Sequence, residues 1–213
     1  MEMNYVPELA KGALKTIELT FSGALLGWTI GASIYFLGKN RRPLLSKISK
    51  VYIDLFRGIP FLLLCMLIYY GLSFFGISLS PFVAGAFALA LNTSAFCAEI
   101  IRGGFQAIPS GHIEAAKSLG FTKLQYLIRL ILPEVFIFVM PQLLNEFTIL
   151  LKNSSLVMVI SVVELMFTAN QIVATNNNPT EIYVLVTIFY LMMTIPLSLL
   201  SKRVERRTAD WHL

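Results

Sequence analysis

Four polar side chains interrupt an otherwise apolar stretch in the C-terminal half of the chain: Gln142, Asn145, Glu146 and Lys152. An ionisable group at mid-bilayer costs about 2.5–3.5 kcal/mol, so a carboxylate there needs a compensating partner. Gln142 and Glu146 stand four residues apart, Asn145 and Lys152 seven. On a helix those intervals gather all four on one broad face. Two readings fit. The stripe turns toward a wet cavity, where Glu146 accepts from a cation and the amides add hydrogen bonds, or it is a polar network between helices with no ligand. Lys152 pairs with Glu146 in one version and snorkels outward in another. Asn92 and Thr93, midway along a second apolar stretch, either contact a solute or bond helix to helix.

Other chemistries are excluded early. Cys65 and Cys97 lie inside apolar runs without metal spacing and read as packing residues. His112 and His212 lack metal partners, so neither a metal centre nor a catalytic constellation is expected. No Gly-x-x-x-x-Gly-Lys-Ser/Thr loop occurs, so the chain is not expected to hydrolyse a nucleotide.

The elements that position these residues follow from composition. Of 213 residues, 56% are hydrophobic and 14% charged, against about 25% charged in soluble domains. A bilayer is the matching solvent, and the fold class is all-α integral membrane. Five segments reach the roughly 20 apolar residues that a helical span needs. They are 17–37, 55–75, 82–101, 130–151 and 182–200. Ser80-Pro81 reads as an N-cap and first helical proline opening the third span. Asn178-Pro179-Thr180-Glu181 reads as a capping box opening the fifth. Pro133, Pro141 and Pro196 are expected to kink their helices. The apolar segment 156–167, with Glu164 inside it, is short for a span; it reads as a sixth span, a re-entrant element or an interfacial helix.

Charge orients the spans. The net charge is +5, and thirteen of seventeen basic residues fall in three links that five spans place on one side. These are Lys39, Arg41, Arg42, Lys47 and Lys50; then Arg102, Lys117, Lys123 and Arg129; then Lys202, Arg203, Arg206 and Arg207. The positive-inside rule puts that side in the cytoplasm, with the N-terminus outside and the C-terminus cytoplasmic. Basic residues interleaved with spans do not suggest nucleic acid as a partner. The first residues lack the basic region of a cleaved signal peptide, so the first span is expected to be retained. Asp54 with Arg57, and Glu99 with Arg102, are expected to pair locally.

The link 102–129 is the longest on the basic side and reads as a helical hairpin. Ser110 or Gly111 can cap a first helix running through Leu119, and Gly120 suits the left-handed position that follows it. Thr122 and Gln125 form a capping box for a second helix. Ala115 and Ala116 leave a shallow surface beside Glu114 and Lys117, with Leu119, Phe121 and Leu124 as apolar knobs. The hairpin is either a rigid object for a partner's cleft or a plain amphipathic connector.

Glu114-Ala115-Ala116, three residues, Gly120, nine residues and Leu130-Ile131-Leu132-Pro133 resemble the EAA motif of ABC importer permeases. Leu130 stands where isoleucine is commoner. Phe56-Arg57-Gly58-Ile59-Pro60, Leu91-Asn92-Thr93, Ala98-Glu99-Ile100 with Arg102-Gly103-Gly104, Leu144-Asn145-Glu146-Phe147 with Lys152-Asn153-Ser154-Ser155-Leu156, and Glu181-Ile182-Tyr183 look like the polar amino acid branch. Ile59 departs from a common threonine and Asn153 from a common aspartate.

The resemblance implies a type I ABC importer permease fold over residues 1–213 as one transmembrane domain, in a bacterial inner membrane, importing polar amino acids. It implies that Glu114, Ala115, Ala116, Lys117, Leu119 and Gly120 dock into an ATPase that itself binds ATP and Mg. It places Glu146 and residues 152–155 around the transported amino acid. A zwitterion needs an acceptor for its ammonium, for which Glu146 is the candidate. It needs donors for its carboxylate, for which Lys152, Asn153, Ser154 and Ser155 are candidates. The implied partners are two ATPases, a second copy or a similar permease around a twofold axis, and an extracytoplasmic amino-acid-binding protein. An ion-coupled carrier working alone would show broken-helix repeats in both halves, which the chain lacks. A non-transporting scaffold is the other alternative, and the polar stripe argues against it.

Overall fold

The computed structural model describes residues 5–40, 42–176 and 178–209. Arg41, Asn177, Trp211 and His212 therefore lie outside the described residues, as do the side chains of Asn176 and Arg207. All regular structure among the described residues is helical. The helices are α1 (Val6–Gly38), α2 (Pro43–Gly58), α3 (Phe61–Phe74), α4 (Pro81–Ala107), α5 (Ser110–Ser118), α6 (Lys123–Ile160), α7 (Leu165–Asn176) and α8 (Pro179–Ala209). Four of them, α1, α4, α6 and α8, are each long and apolar enough to cross a bilayer, and the bent pair α2–α3 makes a fifth.

The expected second span is corrected at its start. Residues 55–58 end α2, and α3 sets off at 107° to it. Ile59 precedes Pro60 and is extended (φ −80°, ψ 128°), because a proline ring disfavours the helical region for the residue before it. Hydropathy counts apolar residues but is blind to a change of direction. Helix α2 is amphipathic. Ser49 and Ile53 are buried on one side, while Leu44, Ile48, Val51 and Leu55 project from another.

The tightest packing joins α1 to α4. Gly23, Gly27 and Gly31 recur every fourth residue and form a smooth stripe. A Cβ on Gly31 would stand 2.5 Å from the Ser94 carbonyl oxygen, and one on Gly27 2.9 Å from Thr93 Cγ2. Lipid chains are as apolar as leucine, so helices in a bilayer associate through such close backbone approach. Two apolar clusters form most of the core. Leu19, Leu64, Cys65, Leu89, Leu150 and Val157 pack in one cluster. Leu9, Ala13, Leu165, Ala169, Ile182 and Val186 pack in another, where α1, α7 and α8 begin.

The expected cap at α4 stands: Ser80 accepts from the Val83 N–H. At α8 the Asn178 side-chain amide donates to the Glu181 carboxylate at 2.7 Å, a bond between side chains in place of the expected capping box. Pro133 follows a π-helical turn, Leu127–Ile131, in which the Leu132 N–H reaches back to the Leu127 carbonyl. The widened turn gives the ring room that a regular turn denies it. Residues 156–167 do not form one continuous helix: Ser154–Ile160 is the 3₁₀ end of α6, Ser161 takes a left-handed conformation (φ 62°), and α7 follows from Leu165. Glu164 is fully buried and caps α7. Its carboxylate accepts from the Met166 and Phe167 N–H groups, from Thr16 of α1 and from Tyr190 of α8. A polar group inside a membrane protein is stable where its hydrogen bonds are satisfied in this way.

The anticipated Asp54–Arg57 pair does not form among the described residues. Arg57 instead stands 3.6 Å from Glu99, which also receives a two-pronged contact from Arg102. Glu99 offers two oxygens already aimed by Arg102, and α2 crosses α4 there. The stacked rings of Tyr35 and Phe105, the Ser49–Ile34 bond and the Ser201–Pro141 bond gather the ends of α1, α2, α4 and α8 with the first half of α6. The basic links thus collect at one end of the bundle.

Candidate functional site

Helix α6 carries its polar stripe into a cleft of about 750 Å³ between α4, α6 and α8. Gln142, Asn145 and Glu146 all line it. Gln142 and Asn145 are exposed, whereas Glu146 is 7% accessible and sits at the back. Behind Glu146 stands Thr93, fully buried. Its hydroxyl faces the Glu146 carboxyl group and has no other hydrogen-bond partner among the described residues. Pro141 donates no N–H, so the helix wall is locally short of one backbone bond beside the cleft. The Pro141 carbonyl accepts from Ser201 of α8 at 2.9 Å, which fixes the two walls together.

The other expected pathway residues are placed differently. Lys152 is exposed and lies outside the cleft lining. Seven residues from Asn145, it stands about 10 Å farther along the helix, and it makes no ion pair with Glu146 among the described residues. Ser154 donates to the Leu151 carbonyl and Ser155 to the Lys152 carbonyl, so both hydroxyls are engaged locally. Asn153 is half-buried beside them. Asn92 donates to the Phe56 carbonyl at 3.2 Å and ties α4 to α2. Sequence reasoning missed the α8 wall: Ser198, Ser201 and Lys202 line the cleft. Their spacing (i, i+3, i+4) marks one polar face of α8, but only the crossing with α6 brings it opposite Glu146.

At the basic end, the hairpin is built largely as its residues require. Helix α5 begins at Ser110 itself, with Pro109 at the cap position and no side-chain cap, so neither Ser110 nor Gly111 caps it. It ends in a Schellman turn. Gly120 takes φ +78°, its N–H donates to the Lys117 carbonyl, and the Phe121 N–H donates to the Ala116 carbonyl. The Thr122–Gln125 capping box is complete. Glu114, Ala115, Lys117 and Leu119 are exposed, Leu119 by 76%. Ala116 is buried and lines a pocket of about 380 Å³ with Phe121 and Tyr126.

Helices of this number, length and apolarity, lining a polar cleft, define a multi-pass membrane protein. Residues 23–210 match the family described as binding-protein-dependent transport system inner membrane component, and the chain belongs to that family. It is 40% identical over 163 residues, 75% of this chain and 76% of the relative, to the probable glutamine ABC transporter permease protein GlnM of Bacillus subtilis. It is 33% identical over 204 residues, covering 95% and 93%, to the glutamine transport system permease protein GlnP of Escherichia coli. The structure superposes on the crystal structure of an amino acid ABC transporter with histidines at a TM-score of 0.90 and 36% identity, covering 95% of each chain. The protein is thus a permease subunit of an ABC importer, a non-enzymatic membrane component whose ATPase is a separate subunit.

Proposed function

We propose that this permease imports polar amino acids across a bacterial inner membrane and that its cleft beside Glu146 is the substrate's path. The carrying observation is the cleft itself: the recessed Glu146 carboxylate, two amides, Lys202 and the exposed Glu205 line a space of about 750 Å³. A zwitterion presents an ammonium that Glu146 can accept and a carboxylate that Lys202, Asn145 and Gln142 can meet. Lys152 and Asn153 stand toward the opposite end, where they suit an arriving solute better than one held at Glu146, while the buried Ser154 serves the fold. The relatives named for glutamine support this substrate class.

The basic end faces the cytoplasm by the positive-inside rule. The α5 hairpin there engages a separate ATPase through the exposed Glu114, Ala115, Lys117, Leu119 and Gly120, while the buried Ala116 seats the helix from behind. Two permeases, this chain with a copy or a similar subunit, enclose the pathway around a twofold axis. A loaded binding protein docks at the opposite end. Nucleotide-driven approach of the ATPases moves the hairpins and exposes the clefts outward; hydrolysis returns them inward. The testing experiment is reconstitution. Proteoliposomes holding the permease, its ATPase and its binding protein should accumulate labelled glutamine-class amino acids only with ATP inside the compartment that the hairpins face. Accumulation driven by an ion gradient without ATP would overturn the reading.

A further inference from the structure

The hairpin is held to the membrane body on one face of α5. His112 and Ala116, four residues apart, turn toward α6, while Glu114, Lys117 and Ser118 lie on the opposite side. Ala116 is small and lets the helix close down. His112 reaches across, its Nδ1 standing 3.0 Å from Glu134 Oε1 and 3.1 Å from Oε2. Ile113 adds an apolar anchor against the cluster of Ile108, Ile131, Val135 and Val139. Among the described residues, the His112–Glu134 contact is the only side-chain hydrogen bond that joins α5 to α6; Ser118, by contrast, bonds within its own helix. Glu134 lies on the same continuous helix as Glu146, twelve residues or about 18 Å away.

From this geometry we infer that the His112–Glu134 contact is a strut that makes α5 and α6 move as one body, so that displacement of the hairpin reaches the wall of the cleft. The inference rests on the reading of the hairpin as the ATPase contact. His112 is a positioning residue: it touches neither the cleft nor its contents. Half-exposed pairs add about 0–1 kcal/mol, so the contact governs registry more than stability. Its loss should leave the melting temperature almost unmoved and should appear in the ratio of solute moved to ATP consumed. A strut needs only a donor of the right reach, so glutamine should serve in place of histidine.

The experiment uses the full complex in proteoliposomes, with labelled glutamine as the probe, comparing wild type, His112→Leu and His112→Gln. Gly120→Val, which distorts the hairpin itself, is measured in parallel. His112→Leu should lower the uptake-to-hydrolysis ratio several-fold, and His112→Gln should return most of it. In a His112→Cys, Glu134→Cys double variant, a short bifunctional thiol reagent should raise the ratio again. The native Cys65 and Cys97 are buried and stand apart from this reaction. An unchanged ratio in His112→Leu, an equal loss in His112→Gln, or failure of His112→Leu to co-purify with the ATPase overturns the strut. If Gly120→Val uncouples while His112→Leu does not, the strut alone fails. If Gly120→Val also leaves coupling intact, the hairpin's assigned role fails with it.

Discussion

Gly120 lets backbone conformation be separated from packing at the hairpin. Its φ is +78°, and a Cβ added there would meet nothing within 4 Å. Any penalty for a side chain is therefore conformational. An L-residue held in the left-handed region costs roughly 1–2 kcal/mol, and β-branching raises that cost further. A change of that size alters an equilibrium by roughly 5–30-fold, enough to displace the Schellman turn that fixes α5 against α6. Asparagine tolerates the region best among side chains, so the loss should run Gly120→Asn, then Ala, then Val. Gly111 supplies the control. It also faces open space and is the second residue of α5, in a helical conformation that alanine adopts without strain. Gly111→Ala should therefore be neutral or mildly stabilising. The assay is co-purification of the ATPase with the solubilised permease, followed by substrate-stimulated ATP hydrolysis in nanodiscs. Wild-type behaviour of Gly120→Val would refute the reasoning. So would equal damage from Gly111→Ala, which would make surface shape rather than φ decisive.

Two further outcomes follow from packing and charge. Gly31→Leu drives a side chain into the Ser94 carbonyl and Cys97 and should destabilise the α1–α4 seam by about 1–3 kcal/mol, read as a lowered melting temperature in detergent. Gly103→Ala on the same α4 meets open space and should not. Cysteines placed at Lys47 and Arg206 should resist an impermeant thiol reagent in intact cells, while one at Ser78, in the turn between α3 and α4, should react; labelling at Arg206 from outside would reverse the orientation.

Local signals were the most legible part of the sequence. Ser80-Pro81, the Thr122–Gln125 box and Gly120 act within one turn of chain, so neighbouring residues decide them, and all three stand as read. Features that depend on a crossing were hidden. Arg57 reaches Asp54 and Glu99 about equally well in principle, and only the approach of α2 to α4 selects Glu99. Glu164 looked like an intrusion in an apolar run, but its partners Thr16 and Tyr190 come from helices far away in sequence. The glycines at 23, 27 and 31 carry a readable period, yet their meaning depends on the small residues of α4 opposite. In the cleft, Gln142, Asn145 and Glu146 were legible because one helix carries all three. Lys202 was not, because helix α8 brings it from more than fifty residues away.

The central claim is that a recessed carboxylate receives the ammonium of a polar amino acid. Glu146→Gln keeps the shape of that group and removes its charge. Because Lys152 makes no pair with Glu146 among the described residues, the substitution strands no buried cation, and assembly should survive. ATP-driven uptake of labelled glutamine by the reconstituted complex is the direct measurement. The account predicts a sharp fall in uptake with Glu146→Gln while the complex still assembles and melts as wild type does. Full uptake by Glu146→Gln would contradict it and leave the polar face of α6 as helix packing.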